Sequence, residues 1–414
     1  MNYWKKYLVK RIIRLTPQFY YYRRRINRQL LLNDNSISNI IKHVPYYIKM
    51  GYMPGKIESY PFIRKSEIIG KEEQFISNKV WKPFLIKKTT GGTSGNYLTF
   101  YKTLIAVIRE EAFISYVFSL IGSNLRIAVL RGNRPASGNH EYKFKHLLLS
   151  SYQLKKETVL EYLTLMKKYK INCLHVYPSA IHIFCKYLKE ILKEQNVELP
   201  KIKGIFSSSE ILTPGVKDEI MELFPDATLI DQYGQTELVA FAISVNKEYY
   251  RFYNVFSYVE LVDTGMMNGD NKIKEITGTN INNKGMPLLR YRTGDFVEVD
   301  ENDNIVSIIG RTNDFVLNSK NEMQPCNVVW RGHTLKNVIS SQFYQDTAGE
   351  LVYRVKVNDK FGEADIKYIR EDLNEIYQGL MKIQVQVVQD FEKTKNGKHV
   401  RAIQKLNLNY MEIA

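Results

Sequence analysis

Two neighbouring stretches, "INCLHVYPSAIHIFCKYLKE" at 171–190 and "IKGIFSSSEILTPGVKDEI" at 202–220, decide the fold class of this chain. Each begins with a short apolar run that suits a buried strand, passes through a polar turn and continues with apolar residues at helical spacing. A helical pattern precedes them at 156–169, and another apolar run follows at 227–230. Strands and helices that alternate in this way predict βαβ units, and therefore a parallel sheet with covering helices.

Polar loops follow three of the predicted strands. The loop after Val176 reads "YPSA", the loop after Phe206 reads "SSSE", and the loop after Ile230 reads "DQYGQTE". Ligands of open α/β sheets gather at the carboxyl ends of the strands. We therefore expect these three loops to line one crevice.

The remaining sequence indicates a second, smaller domain. Beyond residue 250, short β-like runs broken by Asn, Gly and Asp suit hairpins, and after about residue 310 strand-like runs flank a predicted helix at 364–381. A chain of 414 residues also exceeds the roughly 250 to 300 residues at which one core usually splits. We predict an α/β protein in which 1–310 form a large domain of parallel sheets flanked by helices plus a β-rich section, and 311–414 form a small α+β domain.

Composition restricts the partners and the compartment. Lys and Arg outnumber Asp and Glu by 59 to 43, a net charge of +16, which favours acidic partners such as nucleotides, coenzyme A, carrier proteins or anionic lipid headgroups. The three cysteines form no CxxC pair and have too few histidines near them for a zinc site, which fits a reducing, cytoplasmic compartment. No apolar run suits a signal peptide or a transmembrane segment. No RNA-binding or zinc-finger pattern is present, so we expect no nucleic-acid partner.

The N-terminal segment has an amphipathic pattern. Trp4, Tyr7, Leu8, Ile12 and Leu15 recur at helical spacing, and basic residues fill much of the remaining surface. One interpretation is a helix that packs on its own domain, which we favour because such stripes usually face a core. The other is peripheral contact with a membrane surface.

A loop rich in glycine and hydroxyl residues, "TTGGTSG", occupies 89–95. It lacks the lysine of the nucleotide-binding motif GxxxxGK[ST], and 97–100 read as a strand where that motif needs a helix. Glycines still let backbone N–H groups converge on an anion, and the Thr and Ser hydroxyls add donors. Taken alone, a loop of this composition is more often only a turn.

This loop is one of a series of motifs that occur along the chain in a recognisable order. They are "HVPYY" at 43–47, "PFIRKSEI" at 61–68, "TTGGTSG" at 89–95, "VYPSA" at 176–180, "SSSEILTP" at 207–214, "DQYGQTE" at 231–237, "MPLLRYRTGD" at 286–295, "GRTND" at 310–314 and "EKTKNGKHVR" at 392–401. With these motifs the chain resembles the adenylate-forming enzymes that activate carboxylic acids with ATP, and within them the phenylacetate–coenzyme A ligase and CapK-like branch. The resemblance covers nearly the whole chain.

This resemblance implies an acid–thiol ligase with a two-step reaction. The carboxylate and ATP would give an acyl-adenylate and pyrophosphate, and a thiol, for which coenzyme A is the first expectation, would then take the acyl group and release AMP. Between the steps the small C-terminal domain would rotate about a hinge near Asn313. A phosphopantetheine carrier protein, an amine or a sugar of polysaccharide biosynthesis is the alternative acceptor. A non-catalytic nucleotide-binding homologue is the second alternative.

The resemblance also implies residues for the phosphates and the chemistry. Lys398 would bridge the carboxylate and the α-phosphate, which relieves the negative charge that the reaction brings together. Thr236 would donate to the α-phosphate, and Glu237 would hold Mg2+ as a hard oxygen ligand. The phosphate loop would consist of Thr90, Gly91, Gly92, Thr93, Ser94 and Gly95.

The nucleoside would bind a second set of residues. Asp295 would accept both ribose hydroxyls, as a carboxylate does well, and Arg311 would lie close by. Tyr233 would offer a ring face beside the adenine. The other residues expected to contact the nucleotide are Ser208, Ser209, Glu210, Asp231, Gln232 and Gly234.

Three positions depart from the pattern of that branch. The phosphate loop usually continues with Gly-Lys-Pro and here reads Gly95-Asn96-Tyr97, so a cation near the leaving pyrophosphate is absent. The hinge residue is usually acidic and is here Asn313, and the closing motif reads Lys-Thr-Lys-Asn-Gly-Lys in place of Arg-Thr-x-Ser-Gly-Lys. The departures leave adenylation as the expected activity and leave the acceptor open.

Overall fold

A computed structural model describes 3–26, 34–89, 98–133, 135–136, 138–246, 248–280, 282–311, 315–326, 335, 337–391, 400 and 402–406. The helices of these residues are α1 (Tyr3–Ile13), α2 (Pro17–Arg25), α3 (Asp34–Ile41), α4 (Pro45–Lys49), α5 (Lys65–Ile68), α6 (Leu104–Ile121), α7 (Lys156–Lys168), α8 (Pro178–Glu194), α9 (Pro214–Leu223) and α10 (Glu363–Ile376). The strands are β1 (Ile86–Thr89), β2 (Thr99–Lys102), β3 (Ile127–Leu130), β4 (His140–Lys143), β5 (His146–Leu149), β6 (Cys173–Val176), β7 (Gly204–Ser208), β8 (Thr228–Gly234), β9 (Phe241–Val245), β10 (Arg251–Phe252), β11 (Tyr258–Asn268), β12 (Asn271–Asn280), β13 (Leu288–Val299), β14 (Ile305–Arg311), β15 (Phe315–Leu317), β16 (Met323–Pro325), β17 (Val338–Gln345), β18 (Glu350–Val357), β19 (Lys382–Val387) and β20 (Ala402–Gln404).

The chain folds into two compact units, each built from separated stretches of sequence. The first unit comprises 1–123, 232–244 and 248–306, and the second comprises 124–231, 245–247 and 307–414. The last stretch of the second unit begins close to the boundary that we predicted at 310. The division into functional domains 1–310 and 311–414 stays a prediction.

A largely parallel sheet forms the centre of the second unit. Its strands lie in the order β4, β5, β3, β6, β7 and β8. Strand β3 runs parallel to β5 and β6, β6 runs parallel to β7, and β4 is antiparallel at the edge. Side chains of α7, α8 and α9 share one apolar core with these strands. The predicted α/β class with a helix-covered parallel sheet is therefore confirmed.

The two helices that follow the polar loops begin at prolines, as their sequences suggested. Pro178 opens α8 and Pro214 opens α9. Proline suits a first helical turn because the N–H group that it lacks would have no partner there. Both helices then direct apolar residues at spacings of three and four toward the sheet, as Phe184 and Leu188 of α8 illustrate, both of which are fully buried.

The C-terminal residues form the expected α+β arrangement. Strands β19, β18, β17 and β20 make one sheet, and α10 packs against it through Ile369 and Leu373. The helix ends at Ile376 and does not reach 381 as predicted, because Gln378 and Gly379 adopt left-handed backbone conformations with φ of 51° and 69°. A residue in that conformation after the last helical turn ends a helix.

The first unit contains two antiparallel sheets. Strands β11, β12 and β13 pair in sequence, which confirms the predicted hairpins beyond residue 250. Strands β1 and β2 form a separate hairpin in which Thr89 lies opposite Thr99. The glycine loop therefore connects two antiparallel strands as predicted, although 90–97 lie outside the described residues.

Helices α1 and α2 belong to the first unit and pack on α6. Trp4 of α1 and Phe19 of α2 are buried. The Glu111 carboxylate of α6 is also buried, and it accepts a hydrogen bond of 2.9 Å from Nε of Arg14. None of the helices in the described part of the chain combines the length and apolar character that crossing a bilayer requires.

Candidate active site

Tyr233, Gln235 and Asp295 form a hydrogen-bonded cluster in the first unit. Tyr233 Oη donates to Asp295 Oδ2 at 2.7 Å, and Gln235 Nε2 donates to the same oxygen at 2.8 Å. The Asp295 side chain is buried, whereas Tyr233 is partly exposed. Two donors on one oxygen hold the carboxyl group in one orientation.

A bulge in β13 directs the Asp295 side chain. Glu275 of β12 is paired with Phe296 and Thr277 with Arg292, so three residues of β13 lie opposite one residue of β12. A bulge of this kind turns a side chain away from the regular alternation of a strand. The motif "RTGD" therefore contains the bulge that sets the direction of the Asp295 side chain.

The bulge is stabilised by a buried ion pair. Nε of Arg292 donates to Glu275 Oε2 at 2.6 Å, and Glu275 is fully buried. The backbone N–H of Gly294, whose φ is 67°, donates to the other carboxylate oxygen of Glu275 at 3.1 Å. Glycine suits this left-handed position because it has no Cβ. One carboxylate thus binds both the arginine before the turn and the turn itself.

Glu237 lies at the end of the same segment that carries Tyr233. Its side chain is 6% exposed, and Tyr291 Oη donates to Oε1 at 3.5 Å. Asn280 Nδ2 donates to the Glu237 backbone oxygen at 2.8 Å, which attaches the segment to the end of β12. The carboxylate is therefore held at a defined place next to an aromatic hydroxyl.

Close backbone contact also fixes this segment. A Cβ at Gly278 of β12 would lie 2.0 Å from the backbone oxygen of Val239, a distance that real side chains do not show. Glycine at this position lets the chain after Glu237 lie directly on the sheet. Gly278 could not be predicted from the sequence, because the residue lies outside the motifs of the resemblance.

In the second unit, Arg131 joins the loops that follow three parallel strands. The residue comes directly after β3, its Nη2 donates to Ser209 Oγ at 2.8 Å, and its Nη1 lies 2.8 Å from Nε2 of His175. The guanidinium also lies over the ring of Tyr177, with Cζ 4.7 Å from the ring centroid. The loops after β6 and β7 thus meet at one edge of the sheet, as predicted for "YPSA" and "SSSE".

No sequence pattern singles out Arg131 itself as a candidate residue. Its stretch "VLRGN" at 129–133 shows only one basic residue after an apolar run, a pattern that many strands share. The signal that finds it is topological, since β3 lies next to β6 in the sheet and their carboxyl ends are neighbours.

The loop after β7 is also bound to the start of α8. Glu210 Oε2 accepts a hydrogen bond of 3.0 Å from the backbone N–H of Ser179. A carboxylate is favourable at a helix N-terminus, where N–H groups lack helical partners. Ser209, which precedes Glu210 and binds Arg131, has a φ of 74°. This left-handed conformation is uncommon for residues with a side chain. The backbone of 208–210 is therefore held in an unusual shape by contacts on both sides.

Asp231 ends the second unit's part of β8 and is buried. Burial lowers the pKa of the Lys217 ammonium on α9, and the negative charge of Asp231 opposes that change. The aspartate that begins "DQYGQTE" is thus near a cation of its own unit.

The other predicted residues fall into two groups. Gln232, Gly234 and Thr236 lie beside Tyr233 in the first unit, Ser208 is buried at the end of β7, and Arg311 is exposed at the end of β14. The second group lies outside the described residues and consists of Thr90, Gly91, Gly92, Thr93, Ser94, Gly95, Asn313 and Lys398.

No cluster of three or more His, Cys, Asp or Glu side chains with metal-binding geometry occurs in the described ranges. The role of Glu237 as a ligand of Mg2+ stays a prediction. A single carboxylate is compatible with Mg2+, which usually keeps several waters and binds substrate phosphates through one or two carboxylates.

Known proteins provide relatives in sequence and in fold. The chain is 27% identical over 388 residues to Protein CapK of Staphylococcus aureus, which covers 87% of this chain and 84% of that protein. No protein-family model matches the chain.

The solved structures that resemble the chain include CoA ligases in complex with acyl-AMP and an amide bond synthetase. The 2-hydroxyisobutyryl-CoA ligase in complex with 2-HIB-AMP superposes with a TM-score of 0.64 at 14% identity, over 90% of this chain and 88% of that chain. The anthranilate CoA ligase AuaEII in complex with anthranoyl-AMP gives 0.52 at 13% identity, over 78% and 67%. The amide bond synthetase McbA of Marinactinospora thermotolerans gives 0.52 at 14%, over 80% and 68%. The predicted resemblance to adenylate-forming enzymes, with a CapK-like branch, is confirmed.

Proposed function

We propose that this chain, with its adenylate-forming fold and its CapK relative, activates a carboxylic acid with ATP and transfers the acyl group to an acceptor. A carboxylate oxygen of the substrate attacks the α-phosphorus of ATP, and the bond from that phosphorus to the oxygen of the β-phosphate breaks. The products are an acyl-adenylate and pyrophosphate. The acceptor then attacks the acyl carbon and releases AMP.

The observation that carries this proposal is the oriented carboxylate of Asp295 beside the ring of Tyr233. In the proposed complex Asp295 accepts the ribose hydroxyls, and Tyr233 offers its ring to the adenine. Support comes from the bulge at 293–295 and the ion pair between Arg292 and Glu275, which hold the carboxylate in place before any ligand binds. Preorganised acceptors of this kind avoid the entropic cost of ordering a side chain on binding.

The phosphate end of the site is proposed from position and residue type. Glu237, buried beside Tyr291, would hold Mg2+, which would neutralise charge on the phosphates. Thr236 would donate to the α-phosphate. Lys398 would contact the carboxylate and the α-phosphate together and stabilise the charge that develops between them. The glycine loop 90–95 would donate backbone N–H groups to the phosphates.

Arg131 is proposed to be a positioning residue within the second unit. Its hydrogen bond to Ser209 and its contact with Tyr177 support the unusual backbone of 208–210. It would position 208–210, which are proposed to contact the nucleotide, and 177–180, which are proposed to contact the acid. The carboxylic acid is proposed to bind near 129–133 and 177–180.

Two acceptors remain in the proposal. A thiol, with coenzyme A as the first expectation, agrees with the two CoA ligases among the similar folds. A non-CoA acceptor, such as an amine, a sugar or a carrier protein of polysaccharide biosynthesis, agrees with the CapK relative and the amide bond synthetase. A non-catalytic nucleotide-binding role is disfavoured by the retention of Glu237, Asp295, Arg311 and Lys398 in one sequence.

The test of this proposal is pyrophosphate release by the purified chain with ATP and Mg2+ across a panel of aryl, fatty and hydroxy acids. Each acid is assayed alone, with coenzyme A, and with an amino sugar. Release that depends on one acid supports the adenylation step. Without an acceptor, we expect release to stop at about one pyrophosphate per enzyme. The second substrate is the acceptor that permits multiple turnovers. Mass spectrometry then identifies the product as a thioester or an amide.

A contrary result is equally clear. If ATP binds with measurable affinity but no acid in the panel stimulates pyrophosphate release, the non-catalytic nucleotide-binding role replaces the enzymatic one. ATP binding is measured by calorimetry with the same preparation, so a failed preparation and a failed proposal are distinguishable.

A further inference from the structure

Helix α1 is attached to the first unit by one face. Glu111 of α6, which is only 3% exposed, accepts hydrogen bonds from Arg14 and forms an ion pair of 2.8 Å with Lys10. Trp4 is 7% exposed on the same helix. A buried carboxylate with two basic partners holds this face of α1 against α6, since leaving the charge unpaired would be costly.

Four aliphatic side chains in α1 and in the turn directly after it are exposed. Leu8, Val9, Ile12 and Leu15 are 43%, 46%, 65% and 77% exposed. Leu8 and Ile12 lie one turn apart on α1, and Leu15 follows in the turn after the helix ends at Ile13. The N-terminal stripe expected from the sequence is thus divided, with Trp4 turned inward and the three aliphatic residues turned to solvent.

Helix α2 repeats this division. Phe19 is buried, and Arg23 donates to Ser119 of α6 at 2.6 Å. Tyr20 and Tyr21 of α2 are 54% and 52% exposed. Amphipathic tyrosine rings with arginines next to them are typical of side chains that lie at the level of lipid headgroups.

The charge of this segment is of one sign. Residues 1–33 contain no aspartate or glutamate. Their nine basic residues are Lys5, Lys6, Lys10, Arg11, Arg14, Arg23, Arg24, Arg25 and Arg28. An apolar stripe with a wholly basic surround complements an anionic surface with an apolar interior. A second copy of this chain would place the same positive charge opposite itself.

We propose that the outward faces of α1 and α2, which we call the N-terminal surface, bind an anionic phospholipid bilayer. The N-terminal surface consists of Leu8, Val9, Ile12, Leu15, Tyr20 and Tyr21 with the neighbouring basic residues. The four aliphatic side chains enter the boundary between headgroups and acyl chains, the tyrosines lie among the headgroups, and the lysines and arginines contact lipid phosphates. The proposal does not depend on the enzymatic activity proposed above.

The experiment is co-sedimentation of the full chain with two kinds of vesicle, phosphatidylcholine alone and phosphatidylcholine mixed with phosphatidylglycerol. We expect binding to the anionic vesicles that decreases as salt is added, and little binding to the neutral ones. The double variant Ile12→Ser, Leu15→Ser keeps every charge, and we expect it to lose about tenfold or more in partitioning.

The matched control is the double variant Trp81→Ser, Phe84→Ser. These side chains are also exposed in the first unit, at 67% and 70%, but lie in an unrelated segment. We expect the control to bind anionic vesicles like the parent. Because all four side chains face solvent, thermal unfolding should be nearly unchanged in both variants, which separates lost binding from lost folding.

Three outcomes would overturn the proposal. The parent fails to bind anionic vesicles, or the Ile12 and Leu15 variant binds them as well as the parent does. In the third, sedimentation velocity without lipid shows a parent dimer that this variant abolishes, so that a second copy occupies the N-terminal surface.

Discussion

At the residue scale, the site depends on how the carboxylate of Asp295 is presented. The motif "RYRTGD" marks a candidate in the sequence, but its letters do not reveal that the carboxylate accepts from Tyr233 and Gln235. Those partners lie about sixty positions earlier in the chain, and local patterns carry no information on such contacts. The sequence was enough to select Asp295 as a candidate, whereas the orientation of its carboxylate could be seen only in the folded sheet with its bulge.

Replacing Asp295 by Asn tests the role of this carboxylate. The amide is nearly isosteric but neutral and presents one acceptor oxygen in place of two, so it binds ribose hydroxyls less well. We expect the KM for ATP to rise about tenfold or more with a smaller change in kcat, as measured by pyrophosphate release at varied ATP.

The control for this substitution is Asp270→Asn in the exposed turn between β11 and β12. It should leave the KM for ATP unchanged. An unchanged KM in the Asp295 variant as well would remove this residue from nucleotide binding.

Replacing Lys398 by Ala tests the proposed bridge between the carboxylate and the α-phosphate. We expect adenylate formation to slow by a factor of about 100 or more, because the developing charge loses its cation, while ATP affinity measured by calorimetry stays nearly the same. Lys393→Ala and Lys395→Ala are matched controls in the same motif. A variant at 398 that forms adenylate at the parent rate would transfer the role to one of these two.

At the element scale, the positions of strands and of helix starts could be predicted from the sequence better than the positions of helix ends. The proline starts of α8 and α9 and the parallel sheet followed from local patterns. The end of α10 did not, because the helical pattern of apolar residues continues past the left-handed turn at 378–379. A glycine near the end of a helical pattern is the signal that corrects such a boundary.

The contact between β12 and the segment after Glu237 gives a prediction at this scale. Gly278→Ala would place a Cβ 2.0 Å from the Val239 backbone oxygen, so the segment must move. We expect the free energy of unfolding to fall by about 1 to 3 kcal/mol and pyrophosphate release to weaken, because Glu237 moves with Val239. Chemical denaturation measures the first effect.

Gly362→Ala is the comparison for this variant. A Cβ at Gly362 meets nothing within 4 Å, and its φ is −150°. Its cost should stay near or below about 1 kcal/mol, the usual range for a helix N-cap. If Gly278→Ala and Gly362→Ala lower the free energy of unfolding equally, the close contact with Val239 does not constrain the sheet.

At the scale of the whole molecule, stability should depend on pH through a lysine inside the second unit. Burial lowers the pKa of Lys186 on α8 to about 8, with nearby Glu219 and Glu190 opposing the change and Lys189 adding to it. Its ammonium donates to the backbone oxygen of Leu335 at 3.1 Å. Between pH 8 and the ordinary value of 10.5, the unfolded chain therefore binds more protons at this residue than the folded chain does.

It follows that this lysine makes stability rise with pH across that window. We expect Lys186→Met to remove about 1 to 2 kcal/mol of the rise in unfolding free energy between pH 8 and 10. The exposed Lys167→Met is the control and should keep the parent's profile. If the unfolding free energies of the parent and the Lys186 variant change with pH in parallel, the pKa of the Lys186 ammonium is not lowered in the folded chain.

Whole-molecule organisation was only partly predictable. The α/β class, the parallel sheet and the hairpins followed from periodicity, since each pattern is local. The two units assembled from separated stretches did not, because 124–231 and 307–414 share no sequence signal that associates them. The division of the N-terminal stripe could not be predicted either, since the same residue types form buried and exposed aliphatic surfaces.

The most direct test of the central claim is detection of the acyl-adenylate itself. The chain is mixed with ATP, Mg2+ and the activating acid in the absence of any acceptor, quenched, and analysed for the mixed anhydride by mass spectrometry with 18O in the carboxylate. We predict an acyl-AMP in an amount close to the amount of enzyme, with pyrophosphate as the other product, and one 18O in the AMP that is released when an acceptor is added afterwards. Formation of ADP with an acyl phosphate, or no adenylate with any acid that stimulates ATP turnover, would contradict the account.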